Sequence, residues 1–490
     1  MTEESAVAAS AATAESGQYK QELRRDLKVF GNVVLCVAAI TPAVVVFAIG
    51  PVLLNMTGTG AFWAFLIGGV LGTLMAFCWG ELGSAYPIAG GDYTVISRTL
   101  GRAPGFVSLA ITGPVSAFLI PAVVALSIAE YLQVVLPVDA KILGAVVIAI
   151  GTVIAIIGVK ITAQAVAILL AFEISVVTLV TVLGFAHMQR PLTSVIPPTM
   201  FDAAGNQQLV TAGALLAGVV VAAFAYNGFQ GALLFSEETK GDPRGIAKAV
   251  FISLLVAVVT AAIPVLAGIV GANDLREFTT SPQPWTTFLN GLGNPTLTTI
   301  ISLGIALSIC NGVMALVPYF SRVLFSSGRD NAWPTPVSRQ LAKVHPRFET
   351  PWVASAAVGI GSIILILGFD VATMATVIGT TIAVEFVLIA SAAIASRIRQ
   401  PDLVRPFRMP LGPVIPIVAA IFSAVLVCLQ ERQNLIIVAI IVGVSLVYWA
   451  LYLRPRSDTH LLMLAAPTGD VTEATAAAAA AAAQEHAERD

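Results

Sequence analysis

Charge is what this sequence has least of. Only 11% of its 490 residues are Asp, Glu, Lys or Arg, against roughly 25% in an ordinary soluble domain. A hydrophobic fraction of 57% excludes a disordered chain as well. Neither sign dominates, since 26 Lys and Arg face 28 Asp and Glu, so nothing points to nucleic acid. Cysteine is scarce: Cys36, Cys78, Cys310 and Cys428 all lie in apolar segments and no two are close in sequence. That leaves no basis for a disulfide framework or a cysteine metal site. His187, His345, His460 and His486 are scattered and form no ligand pair. No Gly-Lys-Ser/Thr phosphate loop is present, so ATP is not the expected energy source. No cofactor is implied. Residues 1–17 are small and polar, and the first apolar run is too long for a signal segment, so no cleavable signal peptide is expected.

What the chain does have is long apolar runs joined by short charged connectors, with a mean hydropathy of +0.89. Runs of about 20 residues are the length of membrane-crossing helices. A membrane β-barrel is excluded, because its strands would be roughly 10 residues of alternating character. The pattern predicts an all-α integral membrane protein with twelve spans at 28–54, 61–86, 105–133, 141–160, 163–187, 209–235, 248–271, 297–328, 351–369, 371–396, 413–430 and 434–453. Residues 1–27 and 454–490 read as cytoplasmic tails, the second with a low-complexity Ala run. If the N-terminus is cytoplasmic, only Lys141, Arg190, Arg276 and Arg432 of the 26 basic residues fall outside. This asymmetry supports the orientation and an even span count, with both termini inside the cell membrane. The connector 272–296, with Pro282, Pro284 and Trp285, is long enough to be a re-entrant or capping element.

Two spans carry helix-breaking residues. In the first, Thr41-Pro42 interrupts an apolar run. Proline lacks an N–H and clashes one turn back; the outcome is either an interrupted helix or a simple kink. In the sixth, Phe224-Ala225-Tyr226-Asn227-Gly228-Phe229 places an Asn-Gly turn signal inside a membrane helix. The alternative there is a packing glycine beside a buried amide. Spans 1 and 6 open two five-helix halves, 28–187 and 209–396, of inverted topology because five is odd. Interrupted helices at matching positions of inverted halves point to a transporter site at mid-membrane. Half-helix N-termini suit an anion and C-termini a cation, so a zwitterion fits both.

Four stretches resemble the amino acid–polyamine–organocation transporters. Glu81-Leu-Gly-Ser-Ala-Tyr-Pro87 leads into Gly90-Gly-Asp-Tyr93 and Gly101. Phe224–Phe229 is similar to that family's broken helix 6. Ser236-Glu-Glu-Thr-Lys240 with Pro243-Arg244, and Ser321-Arg322 with Arg329-Asp330 through Pro334, complete the match over 28–455. The resemblance implies a leucine-transporter-like five-plus-five inverted repeat with discontinuous helices 1 and 6, followed by two accessory helices at 413–453. It also implies a secondary transporter of amino acids or related amines, not an enzyme. One departure stands out: many members carry Gly-Ser-Gly in helix 1, where this chain has Thr41-Pro42-Ala43-Val44-Val45-Val46. Valine side chains should narrow the pocket near the substrate backbone, which favours a decarboxylated amine more than in the other members.

On that resemblance, N–H groups from Ala43 to Val46 would take a substrate carboxylate. Carbonyls around Phe224 and Asn227, beside Gly228, would take the ammonium, with Phe224 and Tyr226 as aromatic wall and gate. Glu173, central in span 5, falls near a helix 5 Lys that stands in several members where relatives hold sodium. It either couples a proton or cation or is a buried structural acid. Glu385, in span 10, either faces the pathway of a cationic group or is structural. Asn311 either reaches the site or bridges helices. Glu237, Glu238, Lys240 and Arg244 form a cytoplasmic gate or a solvated loop. Gly68 and Gly72 read as close helix packing. A membrane enzyme would need a nucleophile–base pair or metal ligands at mid-depth, and none presents itself. A channel or a transport-dead sensor shares the fold. The partners expected are an amino acid or amine, a proton or sodium ion, and the lipid bilayer.

Overall fold

The computed structural model describes residues 28–86, 90–132, 138–157, 159–202, 204–234, 236, 239 and 242–461. The expected gate residues Glu237, Glu238 and Lys240 lie outside the described residues, as do the tails 1–27 and 462–490. Among the described residues the protein is helical apart from one small hairpin.

The first span is two helices end to end. Helix α1, Val29–Ile40, stops at Thr41, whose backbone is left-handed at φ 54° and ψ 77°. β-Branched residues seldom adopt that conformation; here the hydroxyl donates to Ile40 O at 2.7 Å. Pro42 then opens α2, Pro42–Val44, at the one helical position where a missing N–H is no loss. A π turn over Val45–Ile49 leads into α3, Gly50–Thr57. The helix is thus interrupted at Thr41-Pro42 and not merely kinked, because the proline starts the second half instead of bending the first.

Helix α4, Gly60–Ala85, carries a glycine face that lets α10 and α11 approach. A Cβ at Gly68 or Gly72 would lie 2.9 Å from Ala222 Cβ or from Leu254 Cδ1, so both are packing glycines. Helices α5, Asp92–Thr99, and α6, Arg102–Ala110, follow. Then comes a π turn over Ile111–Val115 and α7, Ser116–Leu132. The sequence suggests one unbroken span here. Instead Gly113 leaves helical geometry at ψ −109° immediately before Pro114, the proline having removed a ladder donor. Helices α8, Ala140–Ile157, and α9, Val159–Ala186, precede a hairpin of β1, Thr199–Phe201, and β2, Gln207–Leu209.

The sixth span is broken too. Helix α10, Ala212–Ala225, is capped by Thr211 Oγ1, which accepts the Ala214 N–H at 3.2 Å. It ends at Tyr226–Gly228, where Gly228 has φ 130°, a region open mainly to glycine. The chain resumes as a 3₁₀ helix over Phe229–Leu233. After α11, Arg244–Gly271, the long connector folds into α12, Leu275–Thr280, and α13, Pro284–Gly291. Next are α14, Pro295–Arg329, α15, Thr335–Leu341, and α16, Trp352–Gly368. Last are α17, Val371–Arg399, α18, Val414–Cys428, and α19, Arg432–Tyr448. Asp370 separates α16 from α17 by capping, its Oδ1 accepting the Thr373 N–H at 2.9 Å.

Among the described residues ten helical segments are long and apolar enough to cross a membrane, and α16 and α18 are shorter apolar helices. Helix α8 exposes Ile142, Val146, Ile150 and Val153 while burying Gly144, Ile148, Gly151 and Ala155. A helix apolar on both faces has its natural place between lipid and bundle.

Candidate substrate site

Two chambers meet at the interruption of the sixth span. The first, about 400 Å³, is bounded by Ala39, Ile40, Thr41 and Val44 at the first interruption and by Phe224, Ala225, Asn227 and Gly228 at the second. Ile120 and Val124 of α7 and Leu316, Tyr319 and Phe320 of α14 complete it. The two interruptions touch: a Cβ on Gly228 would lie 2.9 Å from Ile40 Cγ1 and 3.0 Å from Ile40 N. This wall is largely apolar, with Thr41, Asn227 and Tyr319 as its polar side chains.

Of the expected binding residues, Thr41, Val44, Phe224, Asn227 and Gly228 line this chamber. Pro42, Ala43, Val45, Val46, Tyr226 and Asn311 are buried but outside its wall. Four of them, Ala43, Val46, Tyr226 and Asn311, have partners elsewhere. The Tyr226 hydroxyl donates to Phe65 O at 2.7 Å and ties α10 to α4. Val46 O accepts the Trp285 indole N–H at 2.8 Å. Asn311 reaches a different helix.

That helix carries Glu173. Its carboxylate is completely buried. Oε1 accepts the Ala43 N–H at 2.8 Å, and Oε2 accepts Asn311 Nδ2 at 2.9 Å. The negative group thus sits on the first free N–H of the half-helix begun by Pro42, where the peptide dipoles favour it. Asn311 Oδ1 has no partner. Helices α2, α9 and α14 are clamped at one point behind the first chamber.

The second chamber, about 550 Å³, is acidic. Asp92 and Glu385 line it with Trp79, Gln230, Tyr319, Phe320 and Phe386. Asn227, Tyr319 and Phe320 belong to both chambers and form the partition. Gln230 Nε2 donates to Asn227 Oδ1, and Gln230 Oε1 accepts the Gly228 N–H at 2.9 Å, so the partition is braced by the interruption itself. Trp79 Nε1 donates to Asp92 Oδ1 at 2.8 Å. Burial pushes the Asp92 carboxyl up to about 7, with the Trp79 bond pulling the other way. Ser108 donates to Glu385 Oε1 at 2.5 Å, while Oε2 has no partner.

Each end of the bundle is fastened by its own contacts. At one, Trp285 of α13 is wholly buried against Phe47, Phe278 and Phe288, and the Tyr131 hydroxyl donates to Phe47 O at 2.5 Å. The long connector is thereby packed against the first span. At the other, Arg397 grips Glu81 with two bonds of 2.8 and 2.6 Å, Arg405 approaches at 3.3 Å, and the Met409 N–H donates at 2.8 Å. Tyr93 donates to Asp330 at 2.6 Å. Arg244, expected in a gate, bonds Pro406 O at 2.9 Å. Among the described residues no group of three or more His, Cys, Asp or Glu is placed to hold a metal.

Sequence reasoning did not single out Trp79, Gln230, Tyr319 or Phe320, nor did it assign roles to Glu81 and Asp92. An acid directly after Gly90-Gly91 in apolar surroundings was a usable signal for Asp92. The aromatic residues carried none, since nothing in helical spacing separates a chamber wall from a core.

A family model described as amino acid permease matches residues 29–452. The chain belongs to the amino acid permease family. This family lies in the amino acid–polyamine–organocation superfamily, and the chain is a multi-pass membrane transport protein. The permease is 27% identical over 482 residues to the branched-chain amino acid permease BcaP of Bacillus subtilis, covering 91% of this chain and 96% of that protein. It is 26% identical over 430 residues to the methylthioribose transporter of the same organism, covering 83% and 88%. It is 25% identical over 376 residues to the human large neutral amino acids transporter small subunit 2, covering 75% and 68%.

Proposed function

We propose that this permease is a secondary active transporter that carries a neutral amino acid across the cell membrane by alternating access. The reading has twelve spans, a five-plus-five inverted repeat with two accessory helices, and both termini in the cytoplasm. The observation that carries it is the apolar chamber closed on both sides by interrupted helices. The carboxylate binds beside Thr41 and Val44, at the start of the half-helix opened by Pro42, and the carbonyl end of α10 binds the ammonium. Phe224 takes the side chain. A largely apolar wall suits an uncharged side chain, in keeping with relatives named for branched-chain and large neutral amino acids.

Glu173 is the coupling group in this reading. A carboxyl seated on Ala43 N–H can release the half-helix by taking a proton, or it can attract a cation, so substrate and ion act on the same backbone.

A second reading rests on one observation: Ala43 N–H already holds a carboxylate, that of Glu173. A substrate lacking its own carboxylate, an amine, would then be preferred. Uptake into proteoliposomes of radiolabelled leucine against isopentylamine separates the two. Saturable leucine uptake, stimulated by leucine on the far side, supports the first. Uptake of the amine alone overturns it in favour of the second, and non-saturable flux of both overturns carrier action altogether.

A further inference from the structure

The acidic chamber brings two buried carboxyl groups together. Asp92 and Glu385 line it, and no Lys, Arg or His does. The two carboxyls act on each other electrostatically. Both are buried, Asp92 at 7% and Glu385 at 4% exposure. Each has one oxygen tied down, by Trp79 and by Ser108. Glu385 lines the chamber, and its Oε2 has no donor among the described residues. A buried acceptor of this kind is expensive unless something fills it.

The rest of the wall narrows the choice of occupant. Trp79 and Phe386 meet edge to face at 5.3 Å between ring centroids, and Tyr319 and Phe320 form the partition. Aromatic faces attract organic cations. A small hard metal ion would want five or more oxygens and shed its water reluctantly. A guanidinium would want a carboxylate edge with both oxygens free, and Glu385 offers one. A primary ammonium fits: compact, singly charged, with donors to spend on separate acceptors.

We propose that the acidic chamber is a second binding site, for a primary ammonium group, with Glu385 Oε2 as its acceptor and Asp92 as the further counter-charge. The ammonium is that of an amine-bearing substrate which has passed the Asn227–Tyr319–Phe320 partition, so the inference rests on the transport reading for its ligand. The chamber adjoins the Gly90–Asp92 turn, which in the proposed orientation faces the cytoplasm and makes the chamber the last station before it.

Calorimetric titration of the full-length protein in nanodiscs tests this, with isopentylammonium chloride as one probe and leucine as the other. The amine should bind saturably to the wild type. Glu385→Gln should weaken it about tenfold or more, the loss expected when a charge-assisted acceptor is removed. Asp92→Asn, whose side chain keeps a similar shape, should weaken it in the same direction. Phe224→Ala should leave amine binding within about threefold while weakening leucine. No amine binding to the wild type overturns the site. So does equal amine binding to wild type and Glu385→Gln, or loss of the amine in Phe224→Ala, which would assign it to the apolar chamber. Stabilisation by sodium chloride alone, with no effect of the amine, also overturns it. Failure of leucine alone overturns the amino acid reading and leaves the ammonium site standing, so the two failures are distinguishable.

Discussion

The carboxylate of Glu173 accepts the backbone N–H of Ala43 at 2.8 Å, across 130 residues of chain. It joins α9 to the start of the half-helix that Pro42 begins. Asn311 holds the second oxygen at 2.9 Å. Both donors need an acceptor, and a carboxylate supplies two where an amide supplies one.

Glu173→Gln should therefore do two things. It turns an acceptor toward donors into a donor, which costs about 1–3 kcal/mol for the group left unsatisfied. If Glu173 couples protons, it also flattens the pH dependence of uptake. Thermal unfolding and uptake across a pH series read the two effects separately. An unchanged pH profile would sink the coupling role and leave the structural one.

Phe224 lines the apolar chamber and is 5% exposed. Truncation to alanine removes the part of the wall that, in the proposed reading, meets the substrate side chain. Affinity for leucine should fall by about tenfold or more, with the protein still expressed and folded. Binding titration beside a melting curve checks this. An unaltered affinity would count against the chamber as the substrate site.

Gly228 sits at φ 130°, with Ile40 N only 3.0 Å from where a Cβ would be. Gly228→Ala forces both the backbone and the first interruption to move. The expected outcome is loss of leucine binding and a lowered melting temperature. Wild-type binding and melting would mean that the two interruptions need not touch.

Glu81 is 1% exposed and is held by Arg397 and Arg405. Arg397→Ala removes the bidentate partner and leaves a carboxylate in a poorly hydrated site. A broken buried pair costs about 3–5 kcal/mol, so the melting temperature should fall. Arg405, already at 3.3 Å, should moderate the loss, and adding Arg405→Ala should deepen it beyond the sum of the single changes. Simple additivity in the double variant would contradict shared counter-charge.

Asp92 gives a stability slope. Burial pushes its carboxyl up to about 7 from an ordinary 3.8, so between those values the folded chain binds more protons than the unfolded one. The stability this group contributes is complete below the unfolded value and is lost as pH rises through the folded one. Glu385 and Tyr319 also interact with Asp92. Asp92→Asn should flatten the fall in melting temperature between about pH 4 and 7. The same slope in both proteins would contradict the burial argument.

The helical architecture and the interruption of two spans could be read from the sequence. Both rest on local chemistry: apolar runs of membrane length, a proline, an Asn-Gly pair. The interruption in α6–α7 at Gly113-Pro114 rests on the same chemistry and was legible, yet its neighbours are apolar enough to read as a continuous helix. The fastening of Glu81 by Arg397 was not legible, because the pair is separated by more than three hundred residues and only the fold brings them together. The same holds for Glu173, Asn311 and Ala43. Sequence identified each as unusual but not that they meet. The partition residues Tyr319 and Phe320 were hidden by ordinary aromatic spacing beside Pro318.

One short stretch, Pro42–Ile49, is gripped at two points. Glu173 holds its amide end through Ala43, and Trp285 holds the carbonyl of Val46 one turn later. Such a stretch behaves as a lever with a hand at each end: it cannot tilt without loosening one grip. A buried acid in the bundle and an indole in the long connector thus bear on the same few peptide groups. In the proposed reading, protonating the one and unlatching the other are two ways of asking the same segment to move.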